Sequence, residues 1–365
     1  MQVVFSHDIF AAQAVGGISR YFCELASGLL GLGVDVRVAA GLFTNRHLGE
    51  ALGNPSLAGV VAGRAAGRLG RRRFLLRVLN EACFAVRGKV PRGAILHRTY
   101  YPLAEPIRGV RQVTTVHDMA WERFPGASCF DPVNSFLKRR AVARADLVLT
   151  VSAATRDDLC SIWGVPPEKV VVVHHGVAPP RPAASAKADE APFLLFVGRR
   201  DAYKNFLALL QGLARARGVA RDLRLICFGG GPFSRAERAA MHRLGLVGRI
   251  VQREGDDAAL SAHYRDAVAL VHPSIYEGFG LPLLEAMAHG CPVLCARTPA
   301  LLEVAGRAAY YFDPRDPEAI GAIIEEVVDS PATLAELRQA GDARWRRFTW
   351  RACAERTLDA YRSLA

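Results

Sequence analysis

Two glutamates, Glu277 and Glu285, flank a glycine-bearing turn in the stretch His272-Pro273-Ser274-Ile275-Tyr276-Glu277-Gly278-Phe279-Gly280-Leu281-Pro282-Leu283-Leu284-Glu285-Ala286-Met287. Carboxylates on either side of a run of backbone amides can grip a polyhydroxylated or anionic ligand. The same spacing also describes two solvated glutamates on a loop and a helix. The apolar run Ala267 to Val271 reads as a buried strand, ended by Pro273. From Leu281 the pattern turns helical, and Pro282 suits a first turn. Glu277 then lies in a loop beyond a strand's carboxyl end, and Glu285 about one turn inside the helix. The amides of Phe279, Gly280 and Leu281 are expected to be exposed at the positive end of its dipole.

Cations with a complementary use stand earlier. Phe193 to Gly198, FLLFVG, reads as a strand, and a helix starts near Asn205. Arg199 and Lys204 flank that strand-to-helix turn, where a planar guanidinium and a point charge suit a phosphate, or are simply solvated. The paired glycines Gly16-Gly17 in GGISRYF let backbone amides approach a phosphate at a helix start; a tight turn without ligand explains them equally. Gln112 to Val116 is a short strand running into His117-Asp118. A histidine there can reach into a ligand crevice or be bonded within the fold. His174 and His175 are adjacent at a strand end, point in different directions, and read as structural. The dinucleotide fingerprint G-x-G-x-x-G is absent after the first strand, which argues against a dinucleotide enzyme.

The run EGFGLPLLEAMAHGCPVL closely resembles the signature of the retaining family 4 glycosyltransferases, which have the GT-B fold. The resemblance extends over nearly the whole chain and is strongest in residues 192–306. It implies that Glu277 lies against the donor sugar and Glu285 holds the ribose hydroxyls of the nucleotide, with Gly278, Phe279, Gly280 and Leu281 between them in the donor site. It assigns His117 to the donor sugar beside Glu277, Gly16 and Gly17 to phosphate, and Arg199 and Lys204 to the diphosphate. Gly229, Arg253 and Glu254 fall near the nucleobase. Arg200 is one residue off the register and is not assigned.

These implications set the expected chemistry. A hexose, mannose as first guess, moves from a nucleotide diphosphate sugar such as GDP-mannose to a hydroxyl of a glycan or lipid-linked acceptor, as in cell-surface polysaccharide synthesis. The sequence holds no D-x-D pair for a diphosphate-bound cation and no apparent nucleophile. A metal-free, front-face route without any cofactor is therefore expected, the leaving diphosphate being neutralised by Arg199, Lys204 and helix amides. Alternatives are another GT-B enzyme such as a nucleotide-sugar epimerase, or a non-catalytic polyanion-binding module.

The elements that must position these residues follow from length and pattern. At 365 residues with 51% hydrophobic content, the chain is long enough for two domains and is not disordered overall. Strand-helix-strand units predict α/β architecture: two Rossmann-like domains facing across a cleft. Expected boundaries are an acceptor-side domain at 1–178, a linker at 179–192 (from the Pro- and Ala-rich run APPRPAASAKADEAP, residues 178–192), a nucleotide-sugar domain at 193–347, and a helix at 348–365 crossing back to the first domain. In that helix Trp350, Cys353, Leu358 and Tyr361 need a partner surface. Leu48 to Val61 reads as loop.

The eight cysteines are scattered, mostly in apolar segments without a C-x-x-C pair, and read as reduced core thiols of a cytosolic protein. No apolar run approaches the length of a membrane span and no signal peptide is visible. Net charge is +9 over residues 1–180 and +3 over the remainder. Arg64 to Arg92 alone carries nine basic residues against Glu81, with Leu75, Leu76, Leu79 and Cys83 at helical spacing. The segment suits an interfacial helix on an anionic membrane, or a solvated helix whose stripe packs on its own domain. Nucleic acid is not expected, because aromatics do not interleave with the arginines.

Overall fold

Short apolar runs between helical segments become parallel strands, and a parallel pair needs a crossover that places a helix on the sheet's face. The computed structural model describes residues 1–67, 73–87, 90–103, 107, 109–126, 131–180, 192–200 and 202–364. It divides into two units, residues 1–176 with 350–365, and residues 177–349. Most of the expected linker, residues 181–191, lies outside the described residues, as do Arg71, Arg72 and Cys129.

The first unit holds strands β1 (Gln2–Phe5), β2 (Asp35–Phe43), β3 (Val61–Ala65), β4 (Ile95–Arg98), β5 (Arg111–Val116), β6 (Leu147–Thr150) and β7 (Val170–Val172). Their order is β3-β2-β1-β4-β5-β6-β7, all parallel. The second unit holds β8 (Phe193–Val197), β9 (Arg224–Phe228), β10 (Ile250–Arg253), β11 (Ala269–His272), β12 (Val293–Ala296) and β13 (Tyr310–Phe312). These run β10-β9-β8-β11-β12-β13, again all parallel. In each sheet the order reverses beside the first strand, between β1 and β4 and between β8 and β11. Beyond the carboxyl ends of such a pair the flanking loops diverge and leave a crevice.

The first unit's core is apolar and aromatic: Phe5, Phe10, Tyr21, Phe22, Leu25 and Leu29 are buried with Cys353, Leu358 and Tyr361 of the last helix, Trp350–Arg362. That helix finds its partner surface on the helix Gly17–Gly31, where Gly28 lies so close to Ala354 that a Cβ would stand 2.7 Å from the alanine methyl.

Three expectations change. Residues 48–61 are not loop: helices Arg46–Ala51 and Pro55–Ala58 precede β3, capped by Asn45 and Asn54, whose side chains accept from the amides of Leu48 and Ser56. The supposed stripe on helix Arg73–Arg87 splits. Leu76 is fully buried, whereas Leu75, Leu79 and Cys83 are exposed together with Phe74 and Val78. Its buried side is partly polar instead, because Asn80 Nδ2 donates to Leu42 O at 2.8 Å and Asn80 Oδ1 accepts from Leu42 N at 2.9 Å. Cys83 is accordingly not a core thiol, and Cys160 is only half-buried; Cys23, Cys227, Cys291, Cys295 and Cys353 are buried. Among the described residues no helix is long and apolar enough to cross a membrane.

Candidate active site

Three loops at neighbouring strand ends build the second unit's site. The loop after β8 carries Arg199 and Lys204 and ends at Asn205, which caps the helix Phe206–Arg215 in the left-handed region (φ 58°). Asparagine tolerates that conformation better than most residues, and here its Nδ2 ties the turn to distant loops, donating to Pro273 O at 3.2 Å and Pro314 O at 2.6 Å. The loop after β11 is tied to the same turn, Ile275 N donating to Tyr203 O at 2.9 Å. Both loops are thereby held in register at the strand-order reversal.

Lys204 Nζ donates to Glu277 Oε1 at 2.6 Å, and His272 Nε2, at the end of β11, lies 2.7 Å from the same oxygen. Burial by itself would raise the Glu277 pKa. The Lys204 charge and the hydrogen bond from His272 outweigh it and hold the carboxyl well below its ordinary range. Glu277 is therefore an anion at any working pH. The sequence linked Lys204 to phosphate and Glu277 to sugar; the fold pairs them. His272 has no role assigned from the sequence; its signal there is a histidine closing a strand five residues before the glutamate.

On helix Leu281–Ala288, Glu285 Oε2 accepts from Tyr264 OH at 3.1 Å. Gly280 begins this helix at φ 103°, and a Cβ there would meet Leu301 Cδ2 at 2.6 Å, so the turn requires glycine twice over. The expected row of exposed amides is corrected by packing: Gly278, Phe279 and Gly280 are buried and only Leu281 is partly open, with the Phe279 ring 6.0 Å from Phe348.

The loop after β9 is all backbone. Gly229, Gly230 and Gly231 have φ of 77°, 78° and 74°. A Cβ on Gly230 would stand 2.5 Å from Gly198 O, so the β8 and β9 loops touch through main chain. Gly229 N donates to Arg253 O at 2.9 Å, which joins two of the three nucleobase-region residues; Glu254 is exposed beside them. Arg200 is consumed by the fold: it bonds Glu237 Oε1 at 2.8 Å and the carbonyls of Gly229, Gly231 and Pro232, and lies over the Phe233 ring. Arg199 is exposed.

His117, Gly16 and Gly17 belong to the first unit. His117 follows β5 and stacks on His175 (centroids 5.4 Å, 12°), with Tyr21 edge-on to both. Tyr21 sits one turn inside the helix that starts at Gly17, so the paired glycines and His117 are brought to one place. Burial pushes the His117 pKa well below its ordinary value, with His175, His97 and Lys138 adding to the effect; the ring is neutral. Its Nε2 has no hydrogen-bond partner among the described residues. Gly17 has open space at its missing Cβ, whereas one on Gly16 would press on the flexible Gln13 side chain.

Among the described residues one group has donors close enough for a metal ion, His7, Asp8 and Glu81 at the ends of β1 and on helix Arg73–Arg87. Its geometry is that of a charge ring rather than a chelate. His7 turns Nε2 toward Glu81 (3.4 Å) and Nδ1 toward Asp8 (3.8 Å), while Arg98 closes the ring 3.8 and 3.9 Å from the same two carboxylates. A bound ion needs one imidazole nitrogen facing both acids.

Two doubly wound units, carboxylates and cations at strand ends, and glycine turns around them define a nucleotide-sugar transferase of the GT-B type. The model of the family "Glycosyl transferases group 1" matches residues 179–344, and that of "Glycosyltransferase Family 4" matches residues 15–181. The chain belongs to this glycosyltransferase family. It is 29% identical over 279 residues to the O-antigen chain mannosyltransferase B of Escherichia coli, covering 71% of this chain and 72% of that protein. It is 30% identical over 300 residues to the alpha-maltose-1-phosphate synthase of Mycolicibacterium smegmatis, covering 72% and 76%. Its fold matches Anabaena HepE, solved with UDP and glucose, over 100% of both chains at a TM-score of 0.76 and 16% identity.

Proposed function

We propose that this glycosyltransferase moves a hexose, mannose in the first place, from a nucleotide diphosphate sugar such as GDP-mannose to a hydroxyl of a glycan or lipid-linked acceptor in surface polysaccharide synthesis. The observation that carries this is the single oxygen of Glu277 shared by Lys204 and His272 at the carboxyl ends of β8 and β11. In this proposal Lys204 and Arg199 take the diphosphate, Glu277 and His117 the sugar, and Glu285 the ribose. Gly229, Arg253 and Glu254 lie toward the base, and the amides about Gly16 and Gly17 face phosphate. Residues 193–347 hold the donor and residues 1–178 receive the acceptor. Mannose is supported by relatives named as mannosyltransferases, among them the O-antigen enzyme.

Transfer proceeds with retention and without a divalent ion. The bond from the anomeric carbon to the diphosphate oxygen breaks, the acceptor oxygen bonds on the same face, and its proton passes to the departing phosphate oxygen. Lys204 is placed where the leaving charge grows, and the fixed anion of Glu277 suits a sugar that turns cationic. Incubation with GDP-mannose and a lipid-linked glycan, with and without chelator, tests this. An α-linked product formed in chelator supports it. A β-linked product, or activity restored only by magnesium or manganese, overturns the mechanism, and exclusive use of another donor overturns the sugar.

The same proposal places the acceptor at a membrane. Helix Arg73–Arg87 is docked through Leu76, Asn80, Phe84 and Arg77, whose Nη2 donates to Tyr101 O at 2.9 Å, and turns Phe74, Leu75, Val78 and Leu79 outward. Phe74 is 71% exposed. An outward apolar face in a segment of charge +8 suits an anionic bilayer. Sedimentation with anionic but not neutral vesicles, reversed by salt, is expected.

A further inference from the structure

We propose that His272 is a positioning residue that sets the aim of Glu277; this rests on Glu277 being the carboxylate at the donor sugar. His272 closes β11, its side chain is 2% exposed, and its backbone is fixed by the parallel ladder that pairs it with Cys295 on β12. Buried on a fixed strand end, the ring has little room to swing. Nε2 lies 2.7 Å from an oxygen that stays anionic, so the hydrogen sits on Nε2 and is donated to Glu277 Oε1. Nδ1 is buried with no hydrogen-bond partner among the described residues, so Nε2 is the ring's one point of polar contact. Ser274 Oγ, fully buried, lies 3.2 Å from Nε2 and braces the ring from the loop side.

Lys204 also donates to Oε1, so the lysine and the histidine converge on one oxygen of the carboxylate. Among the described residues Oε2 is left without a partner, and it is the atom that can meet a ligand. The division of labour follows from mobility. Lys204 reaches Glu277 along a flexible stem from another loop and is the group a diphosphate would draw away. His272 is rigid and remains. While the lysine turns to phosphate, the histidine keeps Glu277 from rotating and keeps Oε2 pointing at the sugar. Removing it loosens the aim of the carboxylate in the step where charge develops, and leaves nucleotide binding intact.

The experiment compares His272→Leu, His272→Gln, Glu277→Gln and the double variant His272→Leu with Glu277→Gln, measuring kcat, donor KM, and affinity for the nucleoside diphosphate by calorimetry. The glutamine amide places an N–H near the position of Nε2. We expect His272→Leu to lower kcat roughly 10- to 100-fold, as losing a hydrogen-bonded support does at other sites, with nucleoside diphosphate affinity within about twofold. His272→Gln restores most of kcat, and the double variant is no slower than Glu277→Gln alone. Wild-type kcat in His272→Leu, equal losses in the leucine and glutamine variants, or fully multiplicative losses in the double variant overturn the inference. The two levels separate cleanly. Slow Glu277→Gln beside fast His272→Leu removes only the role of His272, whereas wild-type turnover in Glu277→Gln removes the placement of Glu277 and this inference with it.

Discussion

Beyond β5 in the first unit, His117 lies against His175 and Tyr21, neutral and enclosed by rings. Beyond β11 in the second, Glu277 is an anion held by Lys204 and His272. The sheets share one winding rule, and their strand ends are finished with opposite chemistry. Burial without a charged partner removes charge, so His97, His117 and His175 become shape and dipole. Burial with a partner preserves charge, so the second unit keeps Lys204 and Glu277 as a paired cation and anion. One doubly wound frame supports both because the strand ends fix position while the loops choose the residue.

The sharpest way to break the comparison is to remove the exchangeable cation. Lys204→Ala should lower kcat/KM about 10³-fold, the upper range for losing one preorganised charge partner at a transition state. Steady-state kinetics check this, and an effect under tenfold would mean that the pair with Glu277 is structural. Next is pH. Burial lowers the pKa of His97 to about 3 and that of His175 likewise, below their unfolded values. Stability from such neutral histidines is complete above about pH 6.5 and declines as pH falls toward 3, because the unfolded chain takes up protons that the folded chain refuses. The fully buried His97 alone contributes a slope of about 1.4 kcal/mol per pH unit. The Glu277 pKa is depressed too, but from the ordinary carboxylate value, so its contribution is complete down to about pH 4.5 and is lost only below it. Acid titration followed by hydrogen exchange should therefore open the first unit before the second, and simultaneous opening would contradict the contrast.

Smaller effects divide the second unit internally. Glu285→Gln should weaken nucleoside diphosphate binding about tenfold, one charge-assisted hydrogen bond, while Glu277→Gln changes it less than twofold. Calorimetric titration of both variants decides, and equal losses would dissolve the separation of ribose and sugar. Smallest is the surface of the first unit. Phe74→Ser and Val78→Ser should each weaken binding to anionic vesicles about fivefold, near 1 kcal/mol. Thermal stability should stay unchanged, since both side chains are exposed. A loss of stability would mean that this face packs on protein.

Much of this molecule is local in origin. The strands are apolar runs cut by glycine and proline. Ser152 caps its helix by accepting from Thr155 N, as a serine before a helical run should. The site loops were legible because a residue just past a strand in an α/β unit has one place to go, the carboxyl edge of a parallel sheet. Short caps were legible in principle too: Asn54-Pro55 announces a helix start that the weak periodicity of residues 48–61 obscured.

What tertiary structure alone decided are relations between residues far apart in the chain. Lys204 and Glu277 are 73 positions apart, and only the pairing of β8 with β11 makes them partners. Leu75 and Leu76 are neighbours with equal hydropathy, yet one is buried and the other exposed, because Asn80 fastens the helix to β2 and sets its rotation. The charge of His117 followed the same logic. His117 lost its charge to an apolar enclosure assembled from β5, the strand end after β7 and the Gly17–Gly31 helix, and no one of these segments encodes that by itself. Sequence dictates which groups a strand end can offer. Dielectric surroundings and partners exist only once the sheets have formed, and they determine whether those groups are charged, paired or free to meet a ligand.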